Sequence, residues 1–467
     1  MTPFSSSWSC SVFCYSTRII SPSPSPSPSP SHTYREKIMA KKCSLMLLAF
    51  VLYLIHCQSA IAQSQNNISA IDLDALHQIK NTLIDISTTT TLHFFSSWDF
   101  DSGDPCSSFA GVTCSSSDQP RRVESLVLGT GLSDSPGLAG TLSPFIANLT
   151  ELSQLVLFAG IVTGTIPSQL GSLRKLRVLS LTNNHLTGTI PASIFALPDL
   201  HTLDLSHNHL SGTIPPTISA STQLKVLLLA DNKISGQLPR GFPQQLLHLD
   251  FSQNNISSML PPRMPASLRY LSASQNRMWG PLNCLKSISE LVYLDLSMNY
   301  FSGGLPTSLF QPKLTSMLLQ RNNLSGGLPA LAPYPYGPGS IIDLSHNFLT
   351  GELTWVLVGV ESLFLNNNQL TGTVPKEYFG SLSVGKTKTL YLQHNYITGF
   401  PTAAGSSWPQ LDSVAVCLSY NCMEVPVVVG IMACPSSIGE QISRPAYQCS
   451  AFHNGNTTSE EKEDYIN

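Results

Sequence analysis

His207, His346 and His394 each stand one place before an asparagine, and histidines recurring at one register could in principle hold a metal ion. Cys417, Cys422, Cys434 and Cys449, near the carboxyl end, are a second set of potential ligands. Neither set has the spacing of a zinc site. The cysteines are loosely placed with no companion histidine, and the three histidines fall in well-separated stretches. Disulfides suit the cysteines better; four allow three pairings, and the sequence does not choose among them. Cys284 is the odd one out and reads as a buried small hydrophobe or a free thiol. Signatures of covalent and phosphoryl chemistry are missing: there is no Walker loop, no HExxH, no GxSxG elbow, and none of the VAIK, HRD and DFG motifs of a kinase. What remains is chemistry of recognition. Phe158, Tyr270, Tyr293, Phe364 and Tyr391 could anchor a ligand, and Asp204, Asp250, Asp295 and Asp343 could meet a basic one; each stands beside a large aliphatic residue.

The element that must position these residues is a repeat. Leu176 to Pro191 (LRVLSLTNNHLTGTIP) aligns with Leu200 to Pro215 (LHTLDLSHNHLSGTIP) and Leu224 to Pro239 (LKVLLLADNKISGQLP), a pattern LxxLxLxxNxLxGxIP with a period of 24. Earlier copies begin at Val123 and Leu152, and later ones at Leu246, Leu268, Leu291, Leu314, Gly339, Val360 and Thr387, about twelve between residues 123 and 410. In LxxLxL the leucines alternate with polar residues, which predicts a short strand with one buried face. One such strand cannot bury that face alone; stacked copies bury a continuous core and line up their strands in a parallel sheet along the inside of a curve. The asparagine eight residues after the first leucine (Asn184, Asn208, Asn232, Asn254, Asn276, Asn299, Asn322, Asn347, Asn368, Asn395) turns inward where the strand ends and satisfies backbone groups of the turn. Gly164, Gly188, Gly212 and Gly236 allow a tight backbone approach, and the prolines that follow stop any long convex helix.

The LxGxIP variant resembles the plant extracellular leucine-rich-repeat class, which includes receptor-like kinases, receptor-like proteins and polygalacturonase inhibitors. The resemblance covers roughly residues 66 to 450 and implies an α/β solenoid, a right-handed leucine-rich-repeat superhelix with a parallel β-sheet on the concave face and disulfide-bonded caps. Ile71 to Ile86 has apolar residues at helical spacing and is followed by Trp98 and by DPCSSFAGVTC, Asp104 to Cys114. This looks like the family's N-terminal cap, which implies a Cys106–Cys114 disulfide; Phe109 stands where the family usually has tryptophan. The resulting division is a cap at 63–122, repeats at 123–410, a cysteine-containing C-terminal cap at 411–450 and an acidic tail at 451–467.

Composition agrees with one elongated unit: charged residues are only 11%, and 33 prolines and 30 glycines are dispersed along the chain. A net charge of -3 does not suit a nucleic-acid partner. Residues 39–62 read as a secretory signal, with Lys41 and Lys42 before a short apolar run and Ala60-Ile61-Ala62 at its end. The Ser-Pro-rich residues 1–38 upstream read as an extension before the working start. Val425 to Ala433 is too short to span a membrane and suits a buried strand. Sequons at Asn67, Asn148, Asn255, Asn323 and Asn456 suit secretion, and glycans at Asn255 and Asn323 would narrow the binding surface.

Taken together, these features predict a secreted, non-enzymatic recognition module of the apoplast or cell wall, needing no cofactor or metal. The resemblance adds candidate partners: a peptide or protein ligand, with a receptor-kinase ectodomain in signalling or defence. The alternative is inhibition of a secreted cell-wall-degrading hydrolase. An inhibitor would lower wall-degrading activity on its own, and a recognition module would not.

Overall fold

In the computed structural model every LxxLxL segment from Val123 onward is a strand whose leucines point inward. The structure describes residues 68–86, 93–101, 103–116, 120–129, 137–332, 334–401, 414–424, 434 and 442–450. These belong to one unit, Asn67–Asn467. The extension at 1–38, the signal at 39–62, the sequons Asn67 and Asn456, the Val425–Ala433 strand and the tail at 451–467 lie outside the described residues.

Fourteen strands form one sheet in chain order, parallel throughout except for Val112–Cys114, which pairs antiparallel with Val123–Leu128. Along it the pattern is half-buried, buried, half-buried, as in Thr202–Asp204 and Tyr293–Asp295. The inward leucines, among them Leu179, Leu203, Leu227, Leu249, Leu271 and Leu294, have no exposed surface. Each such side chain contributes roughly 1.5–3 kcal/mol on burial, so stacking the copies is what makes the sheet stable.

The ladder asparagines close each turn. Asn208 accepts from Leu186 N–H of the preceding repeat (3.0 Å) and donates to the carbonyls of Leu181 (2.9 Å), Leu205 (3.2 Å) and Ser206 (3.1 Å). The residue before each asparagine adopts left-handed φ, which includes His207 (55°), His346 (54°) and His394 (60°). The shared register of the histidines is therefore a tight-turn position.

Beyond the asparagine the chain turns into a second, shorter ladder. Leu83–Asp85, Leu138–Thr141 and Ile161–Thr163 form one such sheet, and Trp279–Gly280 to Gln369–Thr371 form a five-stranded one. The prolines that follow serve as caps of 3-10 helices: Pro167 precedes Ser168–Ser172, Pro191 precedes Ala192–Ala196 and Pro306 precedes Thr307–Leu309. Pro375 departs from the short pattern and starts the α-helix Lys376–Ser383, whose Tyr378 is buried and donates to Thr354 O (2.7 Å).

At the amino end the helix is shorter than its apolar spacing predicts. It runs Ala70–Thr82, and Leu83–Asp85 becomes a strand antiparallel to Leu138–Thr141. The partner is admitted by Gly140, where a Cβ would lie 2.1 Å from Thr82 O. Asp72 of this helix is fully buried and holds the first repeat in place. It accepts from Arg122 Nε (3.0 and 3.1 Å) and from Val123 N–H (2.8 Å). Trp98 is buried, donates from Nε1 to Ala110 O (3.0 Å), and stacks on Phe109 with ring centroids 5.2 Å apart. Phe109 thus completes an aromatic core. Cys106 and Cys114 are bonded.

At the carboxyl end the structure corrects the boundary placed at residue 410. Ala415–Cys417 is a further strand, parallel to Thr389–Tyr391. Asn421 serves as its ladder asparagine, accepting from Ile397 N–H (3.1 Å) and donating to Leu392 O (3.0 Å) and Leu418 O (2.9 Å). The cap cysteines pair as Cys417–Cys434 and Cys422–Cys449. Cys284 is a free thiol in the 3-10 helix Asn283–Ser287 and is partly rather than fully buried.

Candidate functional site: the concave sheet

Two outward rows run across the sheet. In the first, Val226, His248, Tyr270, Tyr293, Ser316 and Ile341 are in register on successive strands. Adjacent strands are about 4.8 Å apart, which is close to the stacking distance of aromatic rings. Tyr270 and Tyr293 use this: their centroids are 4.3 Å apart with planes at 3°. His248 joins from the other side at 3.9 Å and 30°. All three rings are half-buried. Burial pushes the Tyr270 hydroxyl well above the usual tyrosine range, with the Asp250 charge adding to it, and raises Tyr293. Burial lowers His248, against a smaller opposing pull from Asp250. The stack therefore presents neutral rings at neutral pH, a flat amphipathic platform with a polar rim.

The second row contains Asp204, Leu228, Asp250, Ser272, Asp295, Leu318, Asp343, Phe364 and Tyr391. Its four aspartates have a common local task. Asp204 accepts from Ser206 N–H (3.0 Å), Asp250 from Ser252 N–H (2.9 Å), Asp295 from Ser297 N–H (3.0 Å) and Asp343 from Ser345 N–H (2.9 Å). Each is the first residue of Asp-x-Ser, and its carboxylate satisfies the N–H two residues on as the strand turns out of the sheet. Burial raises Asp343, against the hydrogen bonds from Ser345. The acidic thread of the sequence is thus engaged in turn geometry.

The five aromatics are not brought to one place. Phe364 and Tyr391 meet edge to face at 5.3 Å, three strands beyond Tyr293 and roughly 14 Å away along the sheet. Phe158 follows the strand Gln154–Leu157, five strands before Tyr270. It lines an open pocket of about 520 Å³ with Phe94, Val127 and Gly129 at the edge of the N-terminal cap. His248 stands at a concave position by register; what singles it out is the neighbour two repeats of sequence cannot display, the flat ring of Tyr270 on the next strand.

Of the sequons, Asn148 is half-buried at the end of the 3-10 helix Pro144–Asn148. Asn255 and Asn323 are exposed in the strands Asn255–Ile256 and Asn323–Gly326 of the second ladders, not in the fourteen-stranded sheet. Of the histidines, His207 pairs through Nδ1 with Asp231 (3.0 Å), and His346 Nε2 meets Asn367 Nδ2 (3.2 Å). No described helix is long and apolar enough to cross a membrane.

Models of the leucine-rich repeat match residues 150–210 and 290–311, and the leucine-rich-repeat N-terminal domain matches residues 69–115. Among solved structures, the leucine-rich-repeat ectodomain of the plant membrane receptor kinase GASSHO1/SCHENGEN3 from Arabidopsis thaliana, in complex with CASPARIAN STRIP INTEGRITY FACTOR 2, is 26% identical; the match covers 76% of this chain and 51% of that one, with a TM-score of 0.50. A TDR receptor is 24% identical over 62% of this chain and 55% of its own, with a TM-score of 0.51. The BIR3–SERK2 complex from Arabidopsis thaliana matches at 36% identity over 39% of this chain and 92% of its own, with a TM-score of 0.33. The chain thus spans about half the length of the first two ectodomains. No curated protein matches it.

Proposed function

We propose, on the premise that the chain belongs to the plant extracellular class of leucine-rich-repeat proteins, that it is a recognition module whose concave sheet binds a peptide or a protein segment. The observation that carries this reading is the stack of His248, Tyr270 and Tyr293: three half-buried aromatic rings, side by side on the inner face of a rigid sheet. Such rings offer large contact area at small entropic cost, and the sheet holds them in place before a partner arrives. GASSHO1/SCHENGEN3, solved with CASPARIAN STRIP INTEGRITY FACTOR 2, supports a ligand-binding role for this fold. The module acts outside the cell, in the apoplast or wall, beside a receptor-kinase ectodomain.

The test is affinity capture from plant extracellular and membrane fractions. The tagged full chain is compared with a variant carrying Tyr270→Ala, Tyr293→Ala and Phe364→Ala. A partner captured by the wild type and lost in the variant supports the concave site. Capture of the same set by both refutes it. A captured wall-degrading hydrolase that the purified protein inhibits would favour the inhibitor reading instead.

A further inference from the structure

Directly upstream of the aromatic row lies another register, at the leading edge of the same sheet. Its backbone is a continuous hydrogen-bonded ladder: His201 N–H donates to Arg177 O (2.9 Å), Lys225 to His201 (2.9 Å), Leu247 to Lys225 (2.8 Å), Arg269 to Leu247 (2.9 Å) and Val292 to Arg269 (2.8 Å). These residues therefore stand on consecutive strands, each one place before the row that holds His248, Tyr270 and Tyr293. Arg177, Lys225 and Arg269 are exposed. Among the described residues none of the three forms an ion pair, whereas Lys175, Lys313 and Lys388 are paired with Glu151, Glu290 and Glu361. His201 stands between Arg177 and Lys225, Leu247 (38% exposed) between Lys225 and Arg269, and Val292 (43% exposed) follows Arg269 on the next strand.

The surrounding sequence has the same sign. Residues 160–289 contain ten lysines and arginines and four aspartates, although the whole chain carries -3. Three of those four aspartates are engaged: Asp204 and Asp250 hold serine N–H groups, and Asp231 pairs with His207. Arg269 also pulls weakly on Glu290, whose main partner is Lys313. On the leading-edge side of the stack the charge left without an ion pair is therefore positive, while Asp250 and Asp295 keep their charge on its turn side.

We infer that this edge, together with the stack, takes an acidic extended peptide with a carboxylate at about every third residue. Arg177 to Lys225 and Lys225 to Arg269 are each two strands apart, roughly 9.6 Å. Three residues of polyproline helix rise about 9.3 Å, and they return to the same face of the peptide. A peptide running across the strands, with acids on one face, meets one cation per turn. Leu247, between Lys225 and Arg269, and Val292, just beyond Arg269, favour apolar groups beside the acids, which a peptide supplies and a uniformly charged acidic polymer does not. The inference rests on the concave sheet being the binding face.

The experiment uses fluorescence anisotropy on the full chain with labelled peptides of repeating Glu-Leu-Pro, Gln-Leu-Pro and Lys-Leu-Pro, and with labelled oligogalacturonate. Two variants accompany the wild type: Arg177→Gln/Lys225→Gln/Arg269→Gln and Tyr270→Ala/Tyr293→Ala. The three basic positions are exposed and the two tyrosines half-buried, and circular dichroism checks that each variant is folded. The glutamate peptide should bind the wild type, more tightly at low salt, and the triple variant should bind it on the order of tenfold more weakly, since each exposed pair contributes up to about fivefold. The lysine peptide should not bind. Equal binding of the glutamate peptide by wild type and triple variant overturns the inference, as does failure of that peptide to bind. Tighter binding of oligogalacturonate than of the glutamate peptide overturns it in favour of an acidic polysaccharide. If the glutamine peptide binds best and the tyrosine variant alone loses it, the acidic inference fails while the concave site stands. If no probe is lost in either variant, both fail.

Discussion

Replacing Asn276 by alanine and by aspartate separates the two jobs of a ladder asparagine. Its Oδ1 accepts from Ile256 N–H at 3.0 Å, and its Nδ2 donates to Phe251 O (3.0 Å), Ala273 O (3.1 Å) and Ser274 O (3.2 Å). Those carbonyls keep other donors when the amide is removed: Asn254 Nδ2 for Phe251, Asn299 Nδ2 for Ala273 and Gln253 N–H for Ser274. The cost of Asn276→Ala therefore concentrates on Ile256 N–H, buried in a residue 1% exposed, and should be about 2 kcal/mol. Asn276→Asp has the same shape and keeps the acceptor, but it turns an oxygen toward the three carbonyls. Burial and those dipoles favour the protonated acid, so its folded pKa lies above the unfolded value of about 3.9. The sign follows. Below pH ~4 both states are protonated and the penalty is small; above it, stability falls by about 1.4 kcal/mol per pH unit until the folded pKa is reached. Urea unfolding at pH 4.5 and pH 7, each variant referred to wild type at the same pH, is the assay. Asn276→Asp should be milder than or comparable to alanine at pH 4.5 and clearly worse at pH 7. A pH-independent difference for aspartate, or an alanine cost below about 0.5 kcal/mol, would refute the account of the ladder.

Two further outcomes follow from groups with unusual surroundings. Asp72→Ala leaves Arg122 and Val123 N–H without their buried acceptor and should cost about 3–5 kcal/mol, with faster hydrogen exchange in Ala70–Thr82; unchanged exchange there would show that the cap is held by the aromatic cluster alone. Burial pushes the Cys284 thiol up to about 11, so iodoacetamide labelling followed by mass spectrometry should be slow at pH 8 and rise steadily toward pH 11, whereas rapid labelling at pH 7 would place the thiol in an open, polar setting.

Most of the solenoid is legible because each repeat position answers a local need. A leucine at alternate positions must be buried, and an inward asparagine satisfies an N–H and several carbonyls within one turn, so single residue types mark single tasks. Legibility fails where a distant partner decides. The apolar spacing of Ile71 to Ile86 continues past Thr82, yet Leu83–Asp85 leaves the helix because Leu138–Thr141 offers a strand edge. Ala415–Cys417 escapes notice because its repeat opens with Ser413 in place of leucine and carries Cys417 where other repeats have Asp, Ser, Leu, Phe or Tyr, although Asn421 keeps the ladder position. Prolines also mislead in one place: Pro375 caps a helix of eight residues, long enough to bury Tyr378.

The site is harder to read for a related reason. Register alone places aspartates and tyrosines on the same concave face, and charge then points to a basic ligand. Geometry separates them by what each side chain already touches. A second-row aspartate reaches the N–H two residues on, so one of its oxygens is held by the turn, and the serine that follows in Asp204-Leu-Ser206, Asp250-Phe-Ser252, Asp295-Leu-Ser297 and Asp343-Leu-Ser345 is the sequence sign of that bond. The first row has no such backbone partner to reach, and its rings stack on one another across strands. One residue further upstream, Arg177, Lys225 and Arg269 project from the sheet edge with no carboxylate paired to them among the described residues. Binding capacity on this sheet therefore grows from its turn side toward its leading edge, because hydrogen bonds to the turn use up the polar groups nearest to it. A ligand selected by what is left meets aromatic faces first and positive charge beside them, which is why the acidic register of the sequence and the charge of the partner have the same sign.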